Sequence, residues 1–371
     1  MPETGLIAAF TGVRRPFELR EYPVPEPRAG AALVKVELAN ICGSDMHIWR
    51  GEYKISRSLK EPYLVSMGHE MLGTIAALGE GLDTDSAGKP LAVGDRVVYR
   101  YFYPCGRCRA CLRGTTPRCP KALRHRHPPD VWPHFNGAYG QYFYLQPDHT
   151  VFKVPDSVSA DLAAPANCAL AQVIYALEQA AAGLDDHIVI QGAGGLGINA
   201  IAVAKQMGAA RVIVIDGIDE RLELAREFGA DVIIDLREFP SPKDRIARVK
   251  QLTDGWGADI VVEVAGTPKA IPEGLAMLGS GGTYLEIGNI NQELTCEIDP
   301  SVLVHGGKKL LGIMWYEAES LKKAIDLLAT CQHKYPFHKV ISHKYPLREV
   351  TAAFQEQDTG HVRRTALLPW N

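Results

Sequence analysis

Four of the eight cysteines fall within fifteen residues, at Cys105, Cys108, Cys111 and Cys119. Their spacing, two, two and seven residues apart, lets four thiolates close a tetrahedron with no open position, the arrangement of a structural zinc site. In a reducing compartment so tight a cluster reads as metal binding rather than as disulfides. Arg107, Arg109 and Arg113 stand around it and help to offset the charge of four thiolates. A second set is scattered: Cys42 opens C-G-S-D-M-H, His69 and Glu70 lie in G-H-E, and Cys168 follows P-A-N. These side chains suit a metal, yet each alone also has a bland reading, such as a buried cysteine or a satisfied histidine.

Gly192, Gly194 and Gly197 form G-A-G-G-L-G directly after the apolar run HIVIQ and ahead of a helical stretch. The first glycine permits a tight turn, the second lets backbone approach a pyrophosphate, and the third lets the helix lie against the sheet. Asp216 ends the next apolar run, about 20 residues on, where a carboxylate accepts hydrogen bonds from an adenosine ribose. There it also repels a 2′-phosphate, which favours NAD over NADP. Arg221, one helical turn further on, is expected to flank the adenosine. Gly195 and Leu196 in the glycine loop, with Ala265 and Ile287 after later strands, complete the expected cofactor positions.

The elements that must position these residues differ along the chain. From Ala31 to Val151 short apolar runs (ALVKVEL, HEMLGTIAAL, GDRVVYRYFY, YGQYFYL, HTVFKV) are broken by glycine and proline. Their length and β-branched content predict an irregular, mostly β domain. After about Asn167 a helix (CALAQVIYALEQAAAG) leads into alternating strands and helices, from HIVIQ through RVIVID, DVIID, DIVVEVAG and TYLEIG to KKLLGIM. Continuous apolar strands between amphipathic helices describe a parallel sheet covered on both faces. The tail mixes helix and strand and is expected to return to the first domain.

At 371 residues, 46% hydrophobic, 22% charged and with a net charge of −3, the chain suits two ordinary globular domains. Nothing in that balance suggests a nucleic-acid surface. The N-terminus lacks the pattern of a signal peptide, and no run reaches the ~18 apolar residues of a membrane span. A soluble cytoplasmic protein is the expectation.

Cys42-Gly43-Ser44-Asp45, Gly68-His69-Glu70, the four-cysteine knuckle and G-A-G-G-L-G stand in the order found in the zinc-containing medium-chain alcohol dehydrogenases, and the chain resembles that family over essentially its whole length. The resemblance implies an α/β protein. Residues 1–169 and 315–371 would form a mostly β, GroES-like catalytic domain, and 170–314 a Rossmann domain with a doubly wound parallel sheet. It implies two zinc ions per chain and NAD. Cys42, His69 and Cys168 resemble the ligands of the catalytic zinc, Glu70 the family's nearby carboxylate, and Asp45 the partner of the histidine ligand. Three protein ligands leave zinc a fourth position for an alcohol. Ser44 and, one turn on, His47 then form a path that carries the alcohol's proton to solvent through the cofactor ribose. Imidazole suits such a shuttle near neutrality.

The P-A-N-C-A-L-A stretch resembles a bacterial branch acting on cyclic and terpenoid alcohols. Tyr53, Tyr101, Trp49 and Trp315 fall where the resemblance puts the pocket wall and suit a hydrophobic secondary alcohol, while by residue type each suits an ordinary core equally well. The loop bearing Arg124, His125, Arg126, His127 and His134 would instead suit a polyol or an anionic hydroxy compound. Two positions depart from the family pattern: Gly43 replaces a basic pyrophosphate contact, and Gln172 replaces a threonine common near the nicotinamide. A homodimer or homotetramer is implied as well. Readings of another kind are a zinc-stapled dinucleotide-binding protein without catalysis and a metal-independent quinone or enoyl reductase, which lacks the Cys/His/Cys set.

Overall fold

The structure, a computed structural model, describes residues 2–53, 64–123 and 127–371. Arg124, His125 and Arg126 lie outside the described residues. The chain packs as two units, one of Met1–Ala171, Tyr316–Gln332 and Phe337–Asn371, the other of Gln172–Trp315 and His333–Pro336.

The first unit is mostly β. A three-stranded sheet orders β2 (Glu18–Pro23), β1 (Thr4–Phe10) and β4 (Val65–Ser66). A seven-stranded sheet is centred on β3 (Ala32–Asn40) and β5 (Glu70–Leu78), with β6 (Arg96–Tyr99), β7 (Tyr142–Leu145) and β8 (Val151–Lys153). Alternating β-branched and small residues along β3 and β5 put Val34, Val36, Met71 and Ile75 into one core with Tyr99, Phe354 and Leu367. The two N-terminal strands are not marked by sequence pattern. β1 is apolar on both faces, because both are covered, and β2 is a charged, exposed edge, so neither alternates. The tail does return: β15 (His343–Pro346) pairs with β16 (Thr365–Leu368), and β16 runs antiparallel to β3, with Ala366 opposite Asn40.

The second unit holds six strands, β9 (His187–Gln191), β10 (Arg211–Asp216), β11 (Val232–Asp235), β12 (Ala258–Glu263), β13 (Leu278–Glu286) and β14 (Lys309–Gly312). All pairings are parallel, in the order β11-β10-β9-β12-β13-β14. This is the doubly wound order whose direction reverses beside the first strand, where ligands bind at the strands' carboxyl ends. His333–Pro336 returns to this unit, where Lys334 and Tyr335 both reach Gln206. Among the described residues one helical stretch, Ala160–Gln179, is long and apolar enough to cross a membrane, and 83% of its apolar 18-residue window is buried inside the protein, as in a core helix.

At the carboxyl ends of β12 and β13, Glu263 and Glu286 are register partners, and the Asn289 amide donates to both at 3.1 and 3.0 Å. Burial, and then the nearby Glu286 carboxylate, push Glu263 up to about 8. A carboxyl raised in the folded state binds its proton more tightly there than in the unfolded chain. Its stability contribution is therefore complete below its ordinary value of 4.5 and is lost as pH rises towards 8. Glu286→Gln should lessen that loss by on the order of 1–2 kcal/mol. The check is thermal melts between pH 4.5 and about 8, in which Tm should fall less for the variant than for wild type.

Candidate active site and metal centres

β3 ends at Asn40, and Cys42 caps the short helix Gly43–Trp49 that follows. Across the sheet Glu70 pairs with Asn40, which brings His69 and Glu70 to the same end. Gly68 turns with φ +85, and a Cβ there would lie 2.6 Å from the Tyr139 ring, so only glycine admits this approach. Cys168 sits in a single π-helical turn, Ala166–Leu170, a distortion that helices often adopt at functional sites.

These elements bring one ligand atom from each of Cys42, His69, Glu70 and Cys168 within 4.8 Å of one another. The Cys42 and Cys168 sulfurs are 3.9 Å apart. Two thiolates on a tetrahedral zinc, each at about 2.3 Å, would be about 3.8 Å apart, so the set fits that ion. His69 Nδ1 faces Asp45 at 3.6 Å, which leaves its other nitrogen for a metal. Asp45 is itself fixed by the Tyr139 hydroxyl at 2.8 Å and the Cys42 N–H at 3.1 Å. Burial disfavours charge on His69, but Asp45 and Cys42 outweigh it and hold its pKa at about 10. The hydrogen bond from Cys168 holds Cys42 well below the ordinary thiol value, so Cys42 is the more readily ionised of the pair.

Glu70 is fully buried. One oxygen accepts from Arg364 at 2.6 Å, and the other, Oε1, has no hydrogen-bond partner among the described residues. Desolvation pushes Glu70 up to about 8 against the pull of Arg364. A buried orphan acceptor beside two sulfurs and an imidazole is what a cation site presents.

The second cluster gathers Cys105, Cys108, Cys111 and Cys119, again with ligand atoms within 4.8 Å of one another. Cys108 lies 3.5 Å from Cys111 and 3.9 Å from Cys119, and the Cys105 N–H donates to the Cys119 sulfur at 3.2 Å. The Arg107 and Cys108 N–H groups draw Cys105 down to about 6, whereas desolvation and the thiol of Cys108 push Cys111 up to about 11. Four thiols so crowded do not all ionise without a cation among them, and that cation fits as zinc.

In the other unit, Gly192 has φ +103, and a Cβ there would lie 2.8 Å from the Ala265 nitrogen. A Cβ on Gly197 would lie 1.9 Å from the Gly192 carbonyl, whereas one on Gly194 would meet none of the described residues within 4 Å. Two of the glycines thus serve packing, and the open one leaves backbone free for a phosphate, beside Gly195 and Leu196 at the helix start. Asp216 is buried and accepts from the Ala193 N–H at 2.7 Å and from the N–H groups of Gly217 and Ile218. Arg221 lies 3.9 Å from it. Arg237 is locked between Asp235 and Asp219. Ile287 is buried and its N–H donates to the Glu263 carbonyl.

Ser44 and His47 share one short helix. His47 Nδ1 is 2.5 Å from Glu52, a carboxylate the sequence did not single out. The Tyr101 ring lies 4.6 Å from that of His69. Trp49 instead belongs to the core: it is buried, packs on Phe354 and donates to the Arg15 carbonyl. Trp315 falls in the other unit with φ 66. His134 stacks on Tyr22 and bonds the Pro129 carbonyl, so a local contact holds it in place. Arg364, Tyr139 and Glu52 carried no local spacing signal. Arg364 in particular stands 294 residues from its partner.

Residues 28–156 match the alcohol dehydrogenase GroES-like domain, and residues 195–330 match the zinc-binding dehydrogenase family. The chain is 33% identical to 5-exo-hydroxycamphor dehydrogenase of Pseudomonas putida, over 92% of this chain and 93% of that protein. It is 31% identical to erythritol/L-threitol dehydrogenase of Mycolicibacterium smegmatis, over 90% of this chain and 89% of that one. The crystal structure of an alcohol dehydrogenase from Thermotoga maritima superposes with a TM-score of 0.91, at 27% identity and covering 98% and 99% of the two chains. With both domain families matched and curated relatives aligned along nearly its full length, the chain is an oxidoreductase of the zinc-containing medium-chain alcohol dehydrogenase family.

Proposed function

We propose that this chain oxidises a hydrophobic or cyclic secondary alcohol to a ketone, with NAD as acceptor, at Cys42, His69 and Cys168. The observation that carries the reading is the convergence of those ligand atoms within 4.8 Å, with Asp45 behind the imidazole and the orphan Glu70 Oε1 beside it. When bound, zinc would supply Lewis acidity towards the hydroxyl, and the nicotinamide would supply the hydride acceptor. Asp45 fixes the ring orientation of His69. Arg364 holds the Glu70 carboxylate, so its second oxygen stays available beside the ligands. The four-cysteine cluster holds a second, structural zinc.

Ser44 and His47 carry the alcohol's proton outward, with Glu52 orienting the imidazole. His47→Gln should slow oxidation about tenfold near neutral pH and leave zinc content intact. Part of the loss should return at higher pH or with a small diffusible base. An unchanged rate and pH profile would remove His47 from the path.

Asp216 sets the cofactor preference, and Arg237, already neutralised by two aspartates, is not free for a 2′-phosphate. Wild type should prefer NAD over NADP by well over tenfold in kcat/KM, and Asp216→Ala should narrow the gap by about 1–2 kcal/mol. Equal use of both cofactors by wild type would defeat this assignment.

The hydroxycamphor relative supports a cyclic alcohol, and the erythritol/L-threitol relative supports a polyol as the second reading. NADH formation across cyclic alcohols and linear polyols separates them by kcat/KM. A homodimer or homotetramer is also proposed. The β14 edge, with Leu310, Val304 and Met314 exposed nearby, offers an apolar surface for it, and light scattering after gel filtration gives the number.

A further inference from the structure

Asn167, the residue before Cys168, is fully buried. Its amide donates to two carbonyls at once, that of His69 at 2.8 Å and that of Tyr99 at 3.0 Å. The Tyr99 hydroxyl reaches the same His69 carbonyl at 3.2 Å. The Asn167 main-chain carbonyl accepts from the hydroxyl of Tyr316, also fully buried. One side chain therefore ties the backbone of His69 to the turn that carries Cys168.

The contacts continue into a closed ring. Glu317, next to Tyr316, accepts from the Thr116 N–H at 2.9 Å and from the Thr116 hydroxyl. Thr116 lies three residues before Cys119, and its hydroxyl oxygen accepts from Arg100 at 3.2 Å. Arg100 follows Tyr99, whose carbonyl bonds Asn167. The path Asn167–Tyr316–Glu317–Thr116–Arg100–Tyr99 thus returns to its start, touching the ligand backbone at one side and the four-cysteine lobe at the other. Asn167, Tyr316, Tyr99 and Arg100 are buried and Thr116 and Glu317 half-buried, so a donor lost on the Asn167 side leaves an acceptor unpaired away from water.

We propose that Asn167 is a positioning residue for the Cys42/His69/Cys168 metal centre, and that the ring through Tyr316, Glu317 and Thr116 couples that centre to the four-cysteine lobe. The inference rests on the reading of those three residues as zinc ligands. Asn167→Leu removes both donors at similar volume, Tyr316→Phe removes only the hydroxyl, and Thr116→Val cuts the ring at the far side without touching Asn167.

The test uses zinc-loaded full-length protein challenged with a chelator, with release followed separately for the two sites. A parallel sample carries cobalt in place of the catalytic zinc, for its thiolate and ligand-field absorption bands. Asn167→Leu and Tyr316→Phe should speed release from the Cys42/His69/Cys168 site by about 10- to 100-fold and shift the cobalt bands. Release from the four cysteines should change little. Thr116→Val should speed release at the distant catalytic site by roughly threefold. A merely structural role would lower Tm and leave the cobalt bands in place. Folded Asn167→Leu and Tyr316→Phe variants with wild-type release and bands would overturn the positioning role, and a silent Thr116→Val would overturn the coupling. A zinc-loaded wild type holding metal only at the four cysteines would instead sink the ligand reading itself.

Discussion

Cys168→Ser is expected to lower turnover by on the order of a thousandfold or more, while the protein stays folded and keeps one of the two proposed zinc ions. A thiolate is the natural partner of zinc at neutral pH, whereas a serine hydroxyl remains protonated and binds poorly. Cys168 is buried with its sulfur 3.9 Å from that of Cys42, so the substitution removes one corner of a preformed set. Changing even the groups behind a ligand costs about 10- to 100-fold, so loss of a ligand itself should cost more. The fold should survive, because the turn Ala166–Leu170 is held by Asn167 and Tyr316 rather than by the sulfur. Elemental analysis checks the outcome, with about two zinc ions per wild-type chain and about one in the variant. One ion per wild-type chain would contradict the two-site assignment.

Cys111→Ser should act on stability instead. A structural zinc contributes folding free energy directly, about 10–16 kcal/mol in isolated zinc-finger peptides. Here the lobe is also anchored through Thr116 and Glu317, so the expected loss is smaller, several kcal/mol, and Tm should fall by about 10 °C or more. Chelation of wild type under conditions that strip both sites should reproduce the drop, and the variant should then show little further loss. Thermal melts with and without chelator decide it. A variant melting with wild type would mean that the cysteines are structural without metal.

What the sequence made legible was local. The CxxC steps place four sulfurs within one short excursion of chain, and G-A-G-G-L-G follows a strand directly, so spacing alone carries most of the geometry. The parallel sheet announced itself through apolar runs alternating with helices. The proposed catalytic set did not, because Cys42, His69 and Cys168 meet only after β3 and β5 pair and the π-helical turn swings in; family resemblance, not periodicity, singled them out. Arg364 and Tyr139 were invisible for the same reason, each reaching its carboxylate from a loop far along the chain. By residue type Trp49 suited pocket wall and core alike, and the structure makes it core, since aromatic type alone does not tell which side of a helix is buried. The exposed, charged β2 gave no alternation to read.

The central claim, metal-dependent transfer of hydride from an alcohol to NAD, is tested most directly with a cyclic secondary alcohol carrying deuterium at the carbinol carbon. The zinc-loaded protein should produce NADH labelled with that deuterium. Removal of the catalytic zinc should abolish the label, and adding zinc back should restore it. Labelled NADH formed at an unchanged rate after that zinc is gone, or no labelled NADH from the zinc-loaded protein with any alcohol in the panel, would contradict the account.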